Sequence, residues 1–206
     1  IADMAQYKPS PLNGFDLFNY MALIVCARAR DYAEITFHKF ADELEAKDAA
    51  GQYAFGAPEN EKHRVTWEGI AVWTYLGATF KGLKNQGAVM TGSAYPGLWS
   101  LVYTPGDLES MAEAYTNVYI NTCGPNRYEE FYKVVKNSKS DGIVLHLNRS
   151  CKLMGLLNNE GAEYVNAKMG VPYVSFDGDQ TDPRVFTPAQ YETRVQALTE
   201  MMDENQ

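Results

Sequence analysis

The spacing of apolar residues along this chain changes character near residue 63. Before that point hydrophobic residues recur at helical intervals. After it, short apolar runs bounded by Gly, Asp or Asn alternate with longer stretches of helical period. In the first part, Pro9 and Pro11 interrupt the pattern and Asn13-Gly14 marks a turn. Met21 to Cys26 is then an unbroken apolar run, too hydrophobic for a surface helix, so the expectation is burial, with Cys26 a core residue. Tyr32 to Lys47 reads as an amphipathic helix with Ile35, Phe37, Phe40 and Leu44 on or near one stripe, and His38 as a solvated residue among charges. The stretch from Gly51 to Lys62, with Gly56, Pro58 and Asn60, is the one internal boundary. It divides a helical lead-in, residues 1–56, from an α/β domain, residues 57–206.

In the second part Val65 to Trp67, Ala88 to Thr91, Ile143 to Leu147 and Tyr173 to Phe176 have the length and β-branched content of strands. Between and after them come helical stretches: Thr74 to Asn85, closed by Gly87; Leu108 to about Asn121, capped by Asp107; Arg127 to Lys139; one ending at Gly170; and Ala189 to Met202. Connections of about three helical turns are too long for hairpins. They imply a parallel sheet with right-handed crossovers and helices on both faces. In such a sheet the strand ends at Glu68-Gly69, Gly92-Ser93, Asn148 to Cys151 and Asp177 to Gln180 share one edge, where ligands of open α/β sheets collect.

That edge carries the candidate chemistry. Cys151 falls between a strand end and a helix start, beside Arg149 and Lys152, a setting that favours a thiolate able to ligate iron or zinc. An ordinary small residue near a helix start is the competing reading. Asp177, Asp179 and Asp182 have the composition for Mg²⁺ or acid–base work, but their Gly and Pro neighbours favour turn capping and pairing with Arg184. His146, inside a strand, reads as a hydrogen-bonded core or interface histidine. Glu68 between Trp67 and Trp73 is either an acid with a raised pKa or part of a packed aromatic turn. No G-x-G-x-x-G and no phosphate-binding G-x-x-x-x-G-K-[ST] occurs.

Composition narrows the partners. A formal net charge of −8 argues against nucleic acid and against an anionic membrane surface. No apolar run approaches the roughly 20 residues of a spanning helix, and a cytoplasmic protein is the expectation. The three cysteines, Cys26, Cys123 and Cys151, form neither a disulfide framework nor a C-x-x-C pair, and Cys123 reads as inert. The chain opens mid-pattern at Ile1, as though entered from a preceding helix.

Four stretches taken together carry a resemblance. They are Trp67-Glu68-Gly69-Ile70 with Trp73; Asp141-Gly142-Ile143-Val144-Leu145-His146-Leu147-Asn148-Arg149-Ser150-Cys151-Lys152; Phe176 to Arg184; and Gln190 to Leu198. In this order they resemble the 2-hydroxyacyl-CoA dehydratase and benzoyl-CoA reductase family, closest to its alpha-type subunits for 2-hydroxyglutaryl-CoA, from about Pro9 to the end. The resemblance implies a flavodoxin-like α/β fold and a subunit about twice this length, of which this is the carboxyl-terminal half. It implies a [4Fe–4S] cluster with Cys151 as one ligand and the others outside this chain, and leaves a flavin open as a further cofactor. It also implies a heterodimer with a second dehydratase subunit, an ATP-dependent iron–sulfur activator and a CoA thioester substrate. In such enzymes one electron delivered to the thioester makes an unactivated β-proton removable, and the hydroxyl leaves to give the enoyl-CoA. Cys151 is the metal-ligand candidate; Asn148, Arg149, Ser150, Glu68 and Gln180 are the candidates for the substrate rim. This chain alone would be inactive. A reductase subunit and a non-catalytic assembly module are the alternatives.

Overall fold

A computed structural model describes residues 1–205. A 3₁₀ turn, Ala2–Gln6, leads into α1 (Gly14–Asn19), α2 (Met21–Cys26) and α3 (Asp31–Ala49). The sheet region follows: β1 (His63–Glu68), α4 (Leu76–Asn85), β2 (Ala88–Ser93), α5 (Ala94–Gly97), α6 (Leu108–Thr116), α7 (Gly124–Asn137), β3 (Gly142–Asn148), α8 (Lys152–Gly155), α9 (Asn158–Met169), β4 (Tyr173–Gly178) and α10 (Pro188–Glu204). The four strands lie in the order β2-β1-β3-β4, and every pairing is parallel. β1 pairs with β3 through Val65↔Gly142 to Glu68↔Leu145, so the expected parallel arrangement and common edge are present.

Alternation along the strands builds two cores. Trp67, Val65 and Val144 face α4 and α10, meeting Leu83, Tyr191, Val195 and Leu198. Ile143 and Leu145 face the other way and pack with Phe131 and Val135 of α7 and Ala162 and Val165 of α9. Each fully buried aliphatic side chain of this kind contributes about 1.5–3 kcal/mol. Phe15, Phe18 and Met21 of the lead-in join the first core. Met4, Leu12, Phe40 and Leu44 form a small core of their own.

The lead-in is pinned to the sheet by one buried residue. Arg64, at the start of β1 and 1% exposed, donates to the carbonyls of Ala5, Tyr7 (2.9 Å) and Ser138 (3.2 Å). It also pairs with Glu61 at 2.5 Å, whose second oxygen accepts the Ser10 amide at 2.6 Å.

Three readings of the helical region need correction. α2 buries only Met21; Val25 and Cys26 are exposed, so Cys26 is not a core residue. Six residues with one face on the core leave the rest of an all-apolar helix outside. Leu23 and Ile24 line an open groove of about 1010 Å³, facing Pro96, Trp99, Leu101 and Val102. Ile35 also faces outward, because the buried stripe of α3 runs through Ala33, Phe40 and Leu44. The helix expected up to Asn121 stops at Thr116, and a separate 3₁₀ turn covers Tyr119–Asn121.

Candidate functional site at the carboxyl edge of the sheet

Chain order and spatial order diverge between β1 and β3, the two central strands, because β2 lies on one side of the pair and β4 on the other. Crossovers from these strands leave to opposite faces, the topology at which ligands of open α/β sheets bind at the strands' carboxyl ends. Gly69 and the turn from Asn148 to Cys151 lie at these ends. Gly69 is required there: its φ is +102°, and a Cβ would come within 2.6 Å of the His146 carbonyl oxygen. His146 occupies the first core, stacked on Phe176 with ring centroids 5.1 Å apart and its Nδ1 bonded to the Ile70 carbonyl. Burial lowers its pKa; it is a core histidine as expected, but not a fully satisfied one, since its Nε2 has no hydrogen-bond partner among the described residues.

The ends of β3 and β4 are laced together. Asn148 is buried; its amide donates to Gln180 Oε1 at 2.9 Å, and its Oδ1 accepts the backbone amides of Gln180 (3.2 Å) and Ser150 (3.4 Å). The Ser150 hydroxyl donates to Asp179, which also accepts the amides of Thr181 and Asp182, both at 2.9 Å. These bonds, the Ser150 hydroxyl first, hold the Asp179 carboxyl well below the usual range. Asp182 pairs with Arg184 at 2.6 Å, and Asp177 with Arg149 at 3.3 Å. The aspartates thus cap turns and pair with arginines, as their composition indicated. Arg149, Ser150 and Lys152 stay exposed on the rim.

Cys151 is half-buried. Its amide donates to the Asn148 carbonyl at 3.3 Å and its carbonyl accepts from Gly155 at 3.0 Å, so it heads the single turn of α8. The side chain packs against the first core. It lies near Tyr95, whose hydroxyl is pushed up in pKa first by burial and then by this cysteine.

Glu68 lies beneath this rim, not on it. It is 0% exposed on the α7/α9 side of the sheet. Tyr119 donates its hydroxyl to Oε1 at 2.8 Å, and Arg127 Nη2 stands 4.0 Å from the same oxygen. Arg127, 1% exposed, stacks 4.7 Å over the Tyr119 ring and donates to the Leu153 carbonyl (2.8 Å) and Asn158 Oδ1 (3.1 Å). Among the described residues, Glu68 Oε2, Arg127 Nε and Asn158 Nδ2 are buried without hydrogen-bond partners. Burial pushes the Glu68 carboxyl up to about 7, against the pull of Tyr119 and Arg127. Tyr119, Arg127 and Asn158 escape the sequence reading because they come from separate elements and share no local spacing. Arg127 alone leaves a trace, as a charge on the apolar side of an otherwise amphipathic helix.

Among the described residues no three Cys, His, Asp or Glu side chains are placed to hold a metal ion together, and Cys26 and Cys123 are exposed elsewhere.

Residues 1–202 match the family described as 2-hydroxyglutaryl-CoA dehydratase, D-component. The chain belongs to this family. It is 63% identical over 207 residues to the lactoyl-CoA dehydratase subunit alpha of Anaerotignum propionicum, covering 100% of this chain and 49% of that protein. It is 44% identical to the (R)-2-hydroxyisocaproyl-CoA dehydratase alpha subunit of Clostridioides difficile, covering 97% and 48%. To the (R)-2-hydroxyglutaryl-CoA dehydratase subunit alpha of Acidaminococcus fermentans it is 40% identical, covering 100% and 42%. The chain therefore spans about half the length of the curated relatives it matches. The dehydratase family motifs noted in the sequence fall at the ends of β1, β3 and β4 and on α10. No helix among the described residues is long and apolar enough to cross a membrane.

Proposed function

We propose that this chain is part of the alpha-type subunit of a cytoplasmic enzyme that dehydrates an (R)-2-hydroxyacyl-CoA to the 2-enoyl-CoA. The observation that carries the reading is the 63% identity, across the whole chain, to a dehydratase alpha subunit. The higher identity to the lactoyl-CoA enzyme than to the 2-hydroxyglutaryl-CoA enzyme, 63% against 40%, favours a small uncharged acyl group over the glutaryl group that the resemblance suggested.

Cys151 is then one thiolate ligand of a [4Fe–4S] cluster whose other ligands come from residues outside this sequence. When bound, such a cluster supplies single electrons, received from an ATP-dependent activator, to chemistry that no side chain performs. This chain's own share is positional. Asn148, Ser150 and Gln180 form a rigid hydrogen-bonded frame beside Cys151. Arg149 and Lys152 present exposed cations to an anionic CoA thioester. Glu68, sealed beneath the rim, holds a proton near neutral pH without contact with bulk water. A second subunit completes the pocket.

The test is anaerobic assay of the complete subunit pair with activator, ATP, reductant and lactoyl-CoA or 2-hydroxyglutaryl-CoA. Turnover should favour lactoyl-CoA. Cys151→Ala should lower iron content and abolish turnover while leaving the fold intact, because a half-exposed turn cysteine adds little packing. A Cys151→Ala pair that keeps its iron and its turnover would overturn the ligand assignment. Absence of turnover by a fully loaded wild-type pair would favour an assembly role.

A further inference from the structure

The turn that carries Cys151 has little to hold it by itself. α8 is four residues long, too short for helical propagation to stabilise it, and two of its side chains, Lys152 and Leu153, are exposed. Met154 is buried in the first core and Ser150 is tied to Asp179, but the one side chain of another element that hydrogen-bonds α8 among the described residues is that of Arg127. Arg127 Nη1 bonds the carbonyl of Leu153, two residues beyond Cys151, at 2.8 Å, and Nη2 lies 3.6 Å from Met154 Sδ. The same guanidinium is fixed on two other sides, by Asn158 at the head of α9 and by the Tyr119 ring beneath it, whose hydroxyl bonds Glu68 at the end of β1. A planar group that donates in two directions while stacking in a third relates these elements rigidly, which a lysine amine cannot do.

We propose that Arg127 is a positioning residue for Cys151: it references the Cys151 turn to the end of β1 and the head of α9 and so sets the direction and exposure of the thiol. The proposal deepens the reading of Cys151 as a ligand, yet it concerns the turn itself and is measurable without any metal.

The primary experiment is site-resolved alkylation of the metal-free chain with iodoacetamide, followed by mass spectrometry of the peptide containing Cys151, with the exposed Cys26 and Cys123 as internal references. Arg127→Gln should raise the Cys151 rate at least fivefold relative to those two cysteines. Arg127→Lys, keeping one donor and the charge, should fall between. Val135→Ala, which loosens the buried face of the same helix but leaves the guanidinium in place, controls for general destabilisation. If Val135→Ala raises the Cys151 rate as much as Arg127→Gln, or if a folded Arg127→Gln chain shows no change, the proposal is wrong. Should Arg127→Gln not fold, Asn158→Ala removes the Nη2 acceptor alone. A threefold increase is then expected, and an unchanged rate overturns the idea. In the complete subunit pair Arg127→Gln should also lower bound iron by half or more. If Cys151→Ala retains iron while Arg127→Gln still alters thiol reactivity, the ligand reading fails and the positioning role stands.

Discussion

Two arginines in this chain are equally buried, each 1% exposed, and they do opposite work. Arg64 sits at the start of β1 and Arg127 beneath the carboxyl edge. Arg64 meets Glu61 at 2.5 Å and the carbonyls of three residues, and both Glu61 oxygens are engaged. Arg127 meets Glu68 only at 4.0 Å, and Glu68 keeps one oxygen without a partner. A buried ion pair repays its desolvation only when geometry and surrounding hydrogen bonds are good. The first pair meets that condition and ties the lead-in to the sheet. The second does not, and its carboxyl answers by holding a proton. The carboxyl left half-satisfied lies at the edge that carries the family motifs; at the opposite end both Glu61 oxygens are engaged, although Arg64 Nε, like Arg127 Nε, has no partner among the described residues.

The contrast is broken most severely at Arg64. Arg64→Ala leaves Glu61 charged and enclosed and frees the carbonyls of Ala5, Tyr7 and Ser138. A loss of about 3–5 kcal/mol is expected from urea unfolding, together with earlier proteolysis of residues 1–12. A loss under about 1 kcal/mol would show that the lead-in is held by apolar packing alone.

The next effect is one of pH. The folded chain keeps the Glu68 proton up to about pH 7, while the unfolded chain releases it near 4.5. Stability from this group is therefore full below pH 4.5 and is lost as pH rises through 7. The total is up to about 3 kcal/mol. Glu68→Gln should remove that slope, matching the parent near pH 5 and exceeding it near pH 8. Parallel stability profiles for the two proteins between pH 5 and 8 would contradict the assignment.

These groups also mark where the sequence was legible. The strands were, because period and β-branched content are local, and their parallel direction followed from connection length, though not their order in the sheet. The Cys151 turn was, because Asp141-Gly142 and the apolar run before it fix a strand end. The Glu68–Tyr119–Arg127–Asn158 group was not: its members are separated by as many as 90 residues, and only the crossover from β2 to β3 brings them together. The misreading of α2 has the same origin. An apolar run states that cover is needed but not what supplies it, and in this chain Leu23 and Ile24 line the groove while Ala22, Val25 and Cys26 are exposed.

Removing Arg127 should cost less than removing Arg64, about 2 kcal/mol, because the carboxyl left behind already holds a proton near neutral pH and lies 4.0 Å away, whereas Arg64 holds Glu61 at 2.5 Å and three carbonyls. The difference should narrow at high pH, where keeping that proton becomes costly. In a Glu68→Gln background the penalty of Arg127→Ala should fall further, leaving mainly the lost bonds to Leu153 and Asn158. Equal penalties in both backgrounds would mean that Glu68 and Arg127 are energetically independent despite their 4.0 Å approach.

The smallest effect belongs to a third arginine. Arg149 pairs with Asp177 at 3.3 Å, but both side chains are more than half exposed, at 62% and 61%. Water and salt screen such a pair, and holding two long side chains together costs entropy, so Arg149→Ala should change stability by less than about 0.5 kcal/mol. Its consequence belongs to ligand binding. If the rim receives a CoA thioester, Arg149→Ala in the complete subunit pair should raise KM several-fold with kcat little changed, and high salt should abolish the difference between variant and parent. Unchanged KM at low salt would remove Arg149 from the substrate rim without touching the ligand assignment of Cys151. A stability loss comparable to that of Arg127→Ala would instead make it a structural residue, and the division between buried and rim arginines would fail.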